Sequence, residues 1–164
     1  MRSLRLLVTE KCHRSCEGCC NKDHDLAALP VVDWSEPFET IMLTGGEPLL
    51  EGQLPKTIEL LKNLAMNEAK LIVYTSLSRN VPKILNLVDG VTLTLHEQSD
   101  VEPFLNLNEM LIWRLGTGSK SLRLNVFDGI QIPSNVNLSH WKVKNNIHWI
   151  KNCPLPSNEV FMRV

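Results

Sequence analysis

The sequence predicts an α/β fold, a partial and laterally open (βα)5-6 barrel of mostly parallel strands. Three observations carry this expectation. Short β-rich runs alternate with stretches of helical spacing, a rhythm that calls for parallel strands joined by crossovers. The chain has 164 residues, whereas a complete eightfold barrel takes about 250. Its cysteine-rich and glycine-rich motifs follow directly after strands, at the end of a parallel sheet where ligands bind.

The first strand is expected at "LRLLVT" (4–9), an apolar run that ends at a polar loop. Residues 21–39 contain two prolines and little periodicity, so the first crossover should be mostly loop with a turn of helix. "TIMLT" (40–44) follows as the second strand. In "QLPKTIELLKNLAMNEAK" the residues Leu54, Ile58, Leu61 and Ala65 fall at helical spacing, with Pro55 in the first turn where its missing N–H costs nothing. The third strand is "LIVYTS" (71–76), followed by a shorter helix over "NVPKILNLV" (80–88). The fourth, "VTLTLH" (91–96), shows strict alternation. "DVEPFLNLNEMLIWRL" (100–115) predicts a helix irregular around Pro103, and "LRLNVF" (122–127) a fifth strand. The tail from Gly129 lacks pattern until "EVFMRV" (159–164), a candidate last strand. With no repeat, low-complexity segment or linker, residues 1–164 are expected to form a single domain.

Composition narrows the function. At 43% hydrophobic the chain can build a core without disulfide staples. Its five cysteines are odd in number, and residues 1–20 show neither a secretory apolar core nor a cleavage site, which weakens a disulfide reading and leads to the expectation of a cytoplasmic protein. No apolar run approaches the roughly 20 residues of a membrane helix. Lys and Arg total 17 against 18 Asp and Glu, which removes the general electrostatic case for nucleic acid. "HWKVKNNIHWIK" (140–151) interleaves tryptophans with lysines, a pattern that can stack on single strands. Trp141, Val143, Ile147 and Ile150 serve equally as buried apolar positions, and that plainer reading is preferred.

Four of the five cysteines crowd into "CHRSCEGCC" (12–20), on the loop after the first strand. Cys12, Cys16 and Cys19 are spaced C-x3-C-x2-C. Three thiolates on a four-iron cluster leave one iron open, whereas a structural zinc wants four closed ligands. Zinc could borrow Cys20, His13 or His24, but adjacent Cys19 and Cys20 suit one tetrahedral ion poorly and no second C-x2-C follows. The pair at 16 and 19 also resembles a redox dithiol, though no clear helix start follows it. Spacing therefore favours a cluster while zinc stays open. The second motif, "LTGGEPLL" (43–50), closes the second strand. Its glycines admit close backbone approach, and Glu47 offers a carboxylate to an amino group. By itself it is no more than a helix-entry turn.

Together the two motifs resemble the radical S-adenosylmethionine superfamily, which pairs a C-x3-C-x2-C loop after the first strand with a GGEP-type motif after the second. The resemblance covers roughly residues 4–50. It implies an enzyme whose [4Fe–4S] cluster is held by Cys12, Cys16 and Cys19. S-adenosyl-L-methionine would chelate the open iron, with Gly45, Gly46, Glu47 and Pro48 matching the motif that binds its methionine amino group. It further implies reductive cleavage to a 5′-deoxyadenosyl radical that abstracts hydrogen from a substrate, fed by an electron donor such as flavodoxin or ferredoxin. Many members carry an aromatic residue just before the third cysteine, near the adenine; here that position is Gly18.

Later strand ends should contact the cofactor, so Thr75, Ser76, His96 and Asn125 are candidate binding residues, His96 foremost because it follows an alternating strand onto the rim. Each could equally cap a helix or satisfy a loop. Cys153, in "NCPLP", reads as a small buried side chain, and Cys20 as a neighbour of the cluster ligands in preference to a radical relay. In size the chain resembles the activating enzymes of anaerobic ribonucleotide reductase, which implies a protein substrate. An enzyme similar to the carboxy-deazaguanine synthases, acting on a small modified-nucleoside precursor, is the alternative. A non-catalytic iron–sulfur or zinc module is the alternative of another class. Five or six strands cannot encircle a radical, so segments 21–39 and 129–158, or a partner, whether protein substrate or second copy in a homodimer, must cover the mouth.

Overall fold

Side chains on a strand alternate between the two faces of its sheet, and this sorting organises the molecule. The computed structural model describes residues 2–164, apart from the side chains of Arg114 and Leu115. Seven strands, β1 (Ser3–Thr9), β2 (Thr40–Gly45), β3 (Lys70–Thr75), β4 (Gly90–Leu95), β5 (Ser121–Phe127), β6 (Lys142–Ile147) and β7 (Glu159–Arg163), form one sheet. Its order is β6-β5-β4-β3-β2-β1-β7. Every neighbouring pair runs parallel. The edges β6 and β7 are not paired with each other, so the α/β fold stays laterally open, as the sequence predicts.

One face of the sheet carries Leu4, Leu6, Ile41, Leu43, Leu93 and Leu124, all buried and packed with α1 (Leu54–Leu64) and α2 (Val101–Met110) in a single core. Each such side chain contributes roughly 1.5–3 kcal/mol of apolar burial, and a one-residue slip would turn a whole strand inside out, so this face sets the register. The opposite face is thereby free for function: it presents Arg5, Met42, Tyr74, Thr94, Asn125 and Phe161 to a cavity.

Pro55 sits in the first turn of α1, as expected. Three expectations change. Pro103 is tolerated in the first turn of α2, and the irregularity lies at the other end, where a π-helical turn over Leu111–Leu115 runs into Gly116 at φ 67°. The helix expected at 80–88 is instead two 3-10 turns, Ser78–Lys83 and Leu85–Leu87, because Pro82 has no N–H to donate to an α-helical ladder. Residues 142–147, where no strand is predicted, form edge strand β6, with Arg123 opposite Lys142 and Phe127 opposite Ile147. Its lysines are exposed and discourage further pairing. Trp141 just before it is buried, edge-on to Phe104, and its indole N–H donates to Asn108 Oδ1 at 2.9 Å. The plainer reading of 140–151 holds for Trp141, and half-burial serves Val143 and Ile147, but Ile150 is 63% exposed. As expected, 21–39 is mostly loop with short 3-10 turns, and the last strand exists as β7 beside β1. Among the described residues no helix is long and apolar enough to cross a membrane.

Candidate active site

The loops after β1 and β2 meet at the C-terminal rim. Gly46 N–H donates to Thr9 O (2.7 Å) and Glu47 N–H to Lys11 O (2.8 Å). A Cβ on Gly45, at φ 145°, would lie 2.2 Å from Thr9 O, and one on Gly46 2.1 Å from Lys11 O. These glycines therefore let two backbones touch on the side where a Cβ would stand, while both still line the cavity. Asn21 ties the same turn from outside, its amide donating to Gly45 O at 2.7 Å.

Glu47 is 2% exposed. Its Oε1 accepts from Leu49 N–H (3.0 Å) and the Thr75 hydroxyl (2.6 Å), and its Oε2 from Ser76 N–H (2.8 Å) and the Ser76 hydroxyl (2.9 Å). Thr75 and Ser76, candidates for cofactor contact, thus grip Glu47 and fasten the turn to the end of β3. Pro48 is buried; its carbonyl accepts from the Thr57 hydroxyl, which anchors the turn to α1.

The cysteine loop is pinned on its other side by a residue that sequence reasoning passed over. Arg14 reaches Asp100 Oδ1 with one guanidinium nitrogen and Glu97 Oε1, at 2.9 Å, with another. Asp100 Oδ2 meanwhile accepts from the N–H groups of His96 and Glu97 at 2.8 and 3.1 Å, so one carboxylate links the cysteine loop to the end of β4. The only available signal was an arginine inside the motif and an aspartate at a helix start, and both have ordinary surface explanations.

His96 stands on the rim as predicted. Its ring forms a three-ring cluster with Phe127 (centroids 4.8 Å) and Trp149 (5.4 Å, nearly parallel), which touch each other at 4.7 Å, and its Nδ1 is buried without a hydrogen-bond partner. Burial, helped by the Arg14 charge, holds its pKa below the usual 6.5. Asn125, half-buried on β5, faces the same cavity of about 340 Å³. Trp149 comes from the segment after β6 and lies against Gly18, where a Cβ would meet its Cγ at 2.4 Å.

Cys12, Cys16 and Cys19 are free thiols lining this cavity together with Glu47 and His96. Desolvation, with repulsion from Cys19 and Cys12 as further contributions, raises the pKa of Cys16, against which Arg14 acts in the opposite sense. A partly desolvated Cys16 thiol, whose anion the neighbouring cysteines oppose, is what a soft cation relieves, so the donor set fits an iron–sulfur cluster. Among the described residues no three His, Cys, Asp or Glu side chains are already gathered at metal-ligand spacing, so the loop is a donor set and not a finished cage. The other two cysteines require a correction. Cys20 and Cys153 are disulfide-bonded across 133 residues, with Cα atoms 5.4 Å apart, whereas Cys153 was expected as a lone buried side chain and Cys20 as a bystander. A pairing so distant in sequence is set by where the tail crosses the rim, which no spacing pattern encodes.

No protein-family model matches the chain. Over 87 residues it is 31% identical to a protein of Methanococcus aeolicus described as "Probable GTP 3',8-cyclase", an alignment covering 46% of this chain and 29% of that relative. The chain thus spans less than a third of the relative's length. The similarity supports the radical S-adenosylmethionine superfamily at that level.

Proposed function

We propose that the chain is a radical S-adenosylmethionine enzyme. The observation that carries this reading is the convergence of three free thiols at C-x3-C-x2-C spacing and the GGEP turn on one cavity at the C-terminal rim of a parallel sheet. Cys12, Cys16 and Cys19 hold a [4Fe–4S] cluster, which when bound supplies the electron for reductive cleavage of S-adenosyl-L-methionine. Gly45, Gly46, Glu47 and Pro48 shape the turn that receives the cofactor's amino group; because the Glu47 oxygens already accept four protein hydrogen bonds, backbone oxygens of the turn are the natural acceptors. His96 and Asn125 face the cofactor from β4 and β5. Trp149 supplies, from a remote segment, the aromatic surface that Gly18 lacks.

The cavity lies at the small end of the range of about 300–1,000 Å³ for small-molecule sites, so a cofactor fills most of it and the substrate is presented at the mouth. This favours hydrogen abstraction from a protein, in the manner of a glycyl-radical activase, with flavodoxin or ferredoxin as cytoplasmic electron donor. The similarity to a relative described by its GTP chemistry favours a second reading, a small nucleoside-like substrate. Anaerobic reconstitution with iron and sulfide, then S-adenosylmethionine and dithionite, should yield 5′-deoxyadenosine, and Cys16→Ala should yield none. Reconstituted protein that holds four irons yet forms no 5′-deoxyadenosine would leave only the iron–sulfur module, and a product requiring a small nucleoside would decide for the second reading.

A further inference from the structure

β6 and β7 lie at opposite edges of the sheet, so the chain between them must travel from one edge to the other. It leaves β6 at the rim and crosses the cavity mouth: His148, Trp149, Ile150 and Cys153 all line the cavity, and Trp149 rests on Gly18 of the cysteine loop. Among the described residues, positions 148–155 make no backbone hydrogen bond to any other element; the turn from Cys153 N–H to Ile150 O at 3.3 Å is internal, and the next such bond is from Glu159 N–H, at the start of β7, to Pro156 O. This crossing piece is held over the mouth at two points, by Trp149, which packs on His96, Phe127 and Gly18, and by the bond from Cys153 to Cys20. Asn152 and Cys153 both stand at positive φ, 62° and 25°; asparagine adopts this region readily, but a cysteine keeps it only when its surroundings impose it.

We propose that residues 148–153 are a lid and that the Cys20–Cys153 pair is its redox latch. With the bond formed the lid is closed on the cavity. Reduction frees Cys153, its imposed backbone relaxes, and the lid is left on the packing of Trp149 alone. The step balances with a dithiol reductant: its thiolate attacks one sulfur, the other cysteine leaves as a thiol, and the reductant's second thiol closes on the first. Two electrons and two protons then reside on Cys20 and Cys153, and the reductant is left as a disulfide. Because Cys20 directly follows Cys19, the latch reports redox conditions at the thiols it covers. Where the lid bears on S-adenosylmethionine, the inference rests on the function proposed above.

Limited trypsin digestion of the full chain tests the latch, because exposed Lys151 lies between Trp149 and Cys153. The diamide-oxidised protein is compared with protein treated with dithiothreitol, while alkylation and mass spectrometry establish the state of Cys20 and Cys153. The rate of cleavage after Lys151 should rise about tenfold or more on reduction, as expected for a segment that loses its main tether and can then extend into a protease. Cys153→Ser should be cleaved at the faster rate under both conditions, with cleavage within β1 to β5 unchanged in every form. Equal rates of cleavage after Lys151 in forms proven oxidised and reduced overturn the latch, as does full alkylation of both cysteines after diamide. Release of S-adenosylmethionine from reconstituted protein, measured in parallel, should be faster after reduction. A lid that responds in protein that binds no S-adenosylmethionine in either state supports the latch and refutes the cofactor assignment.

Discussion

Replacing Glu47 by alanine separates a side chain that builds the site from one that merely touches a ligand. The carboxylate serves four donors, and their fates differ. Leu49 is fully buried and the Thr75 hydroxyl belongs to a residue only 6% exposed, so both donors lose their acceptor without a ready substitute. Each stranded donor costs about 1–3 kcal/mol. Ser76 is half-buried at the cavity and can be rehydrated, and some water will also follow into the space vacated, so a net loss of about 3 kcal/mol is expected. For a chain of this length that corresponds to a fall in melting temperature of roughly 6–12 °C. The assay is thermal unfolding of protein carrying no added ligand, because a residue used only for ligand contact would leave that transition in place. Glu47→Gln, which keeps the shape but turns an amide toward the Ser76 N–H, should fall between wild type and Glu47→Ala. Melting of Glu47→Ala within a degree or two of wild type would refute the view that this carboxylate fastens the GGEP turn to β3.

Two further predictions follow from the rim. Arg14→Ala should destabilise the protein by about 2–4 kcal/mol, since it strands the Asp100 carboxylate, and a double-mutant cycle with Asp100→Asn should show coupling above about 1 kcal/mol; additive losses would mean that the cysteine loop is not held by this pair. The depressed pKa of His96 means that the unfolded chain binds its proton more readily, so the stability it contributes is fully present above pH 6.5 and is lost as pH falls below 6.5 through the folded value. Denaturant unfolding of His96→Phe should accordingly be flatter than wild type below pH 6.5, and identical slopes for the two proteins would count against a buried neutral imidazole.

Much of the architecture is legible in the sequence because it depends on local alternation and spacing. Six strands appear where β-rich runs predict them, since each must turn a leucine, isoleucine or valine row toward the helices. β6 was hidden because an edge strand needs few apolar residues, and "KVKNNI" meets that need with a half-buried valine and isoleucine. The three cysteines of the motif and the GGEP turn were legible because each follows a strand immediately, and a parallel sheet brings such loops to one rim. The cysteines face the cavity as free thiols, while Glu47, Thr75 and Ser76 line it with their side chains already bonded to one another.

What the sequence determines by itself is therefore the parallel α/β frame and the identity of the loops at its active rim, both consequences of short-range pattern. What only the tertiary structure decides is which side chains meet across that rim. Arg14 finds Asp100, Trp149 settles on Gly18, and Cys20 pairs with Cys153 because strand order places the ends of β1, β4 and β6 around one cavity. Such meetings join residues separated by 86 to 133 positions and depend on the curvature and order of the whole sheet, for which no local periodicity carries a signal.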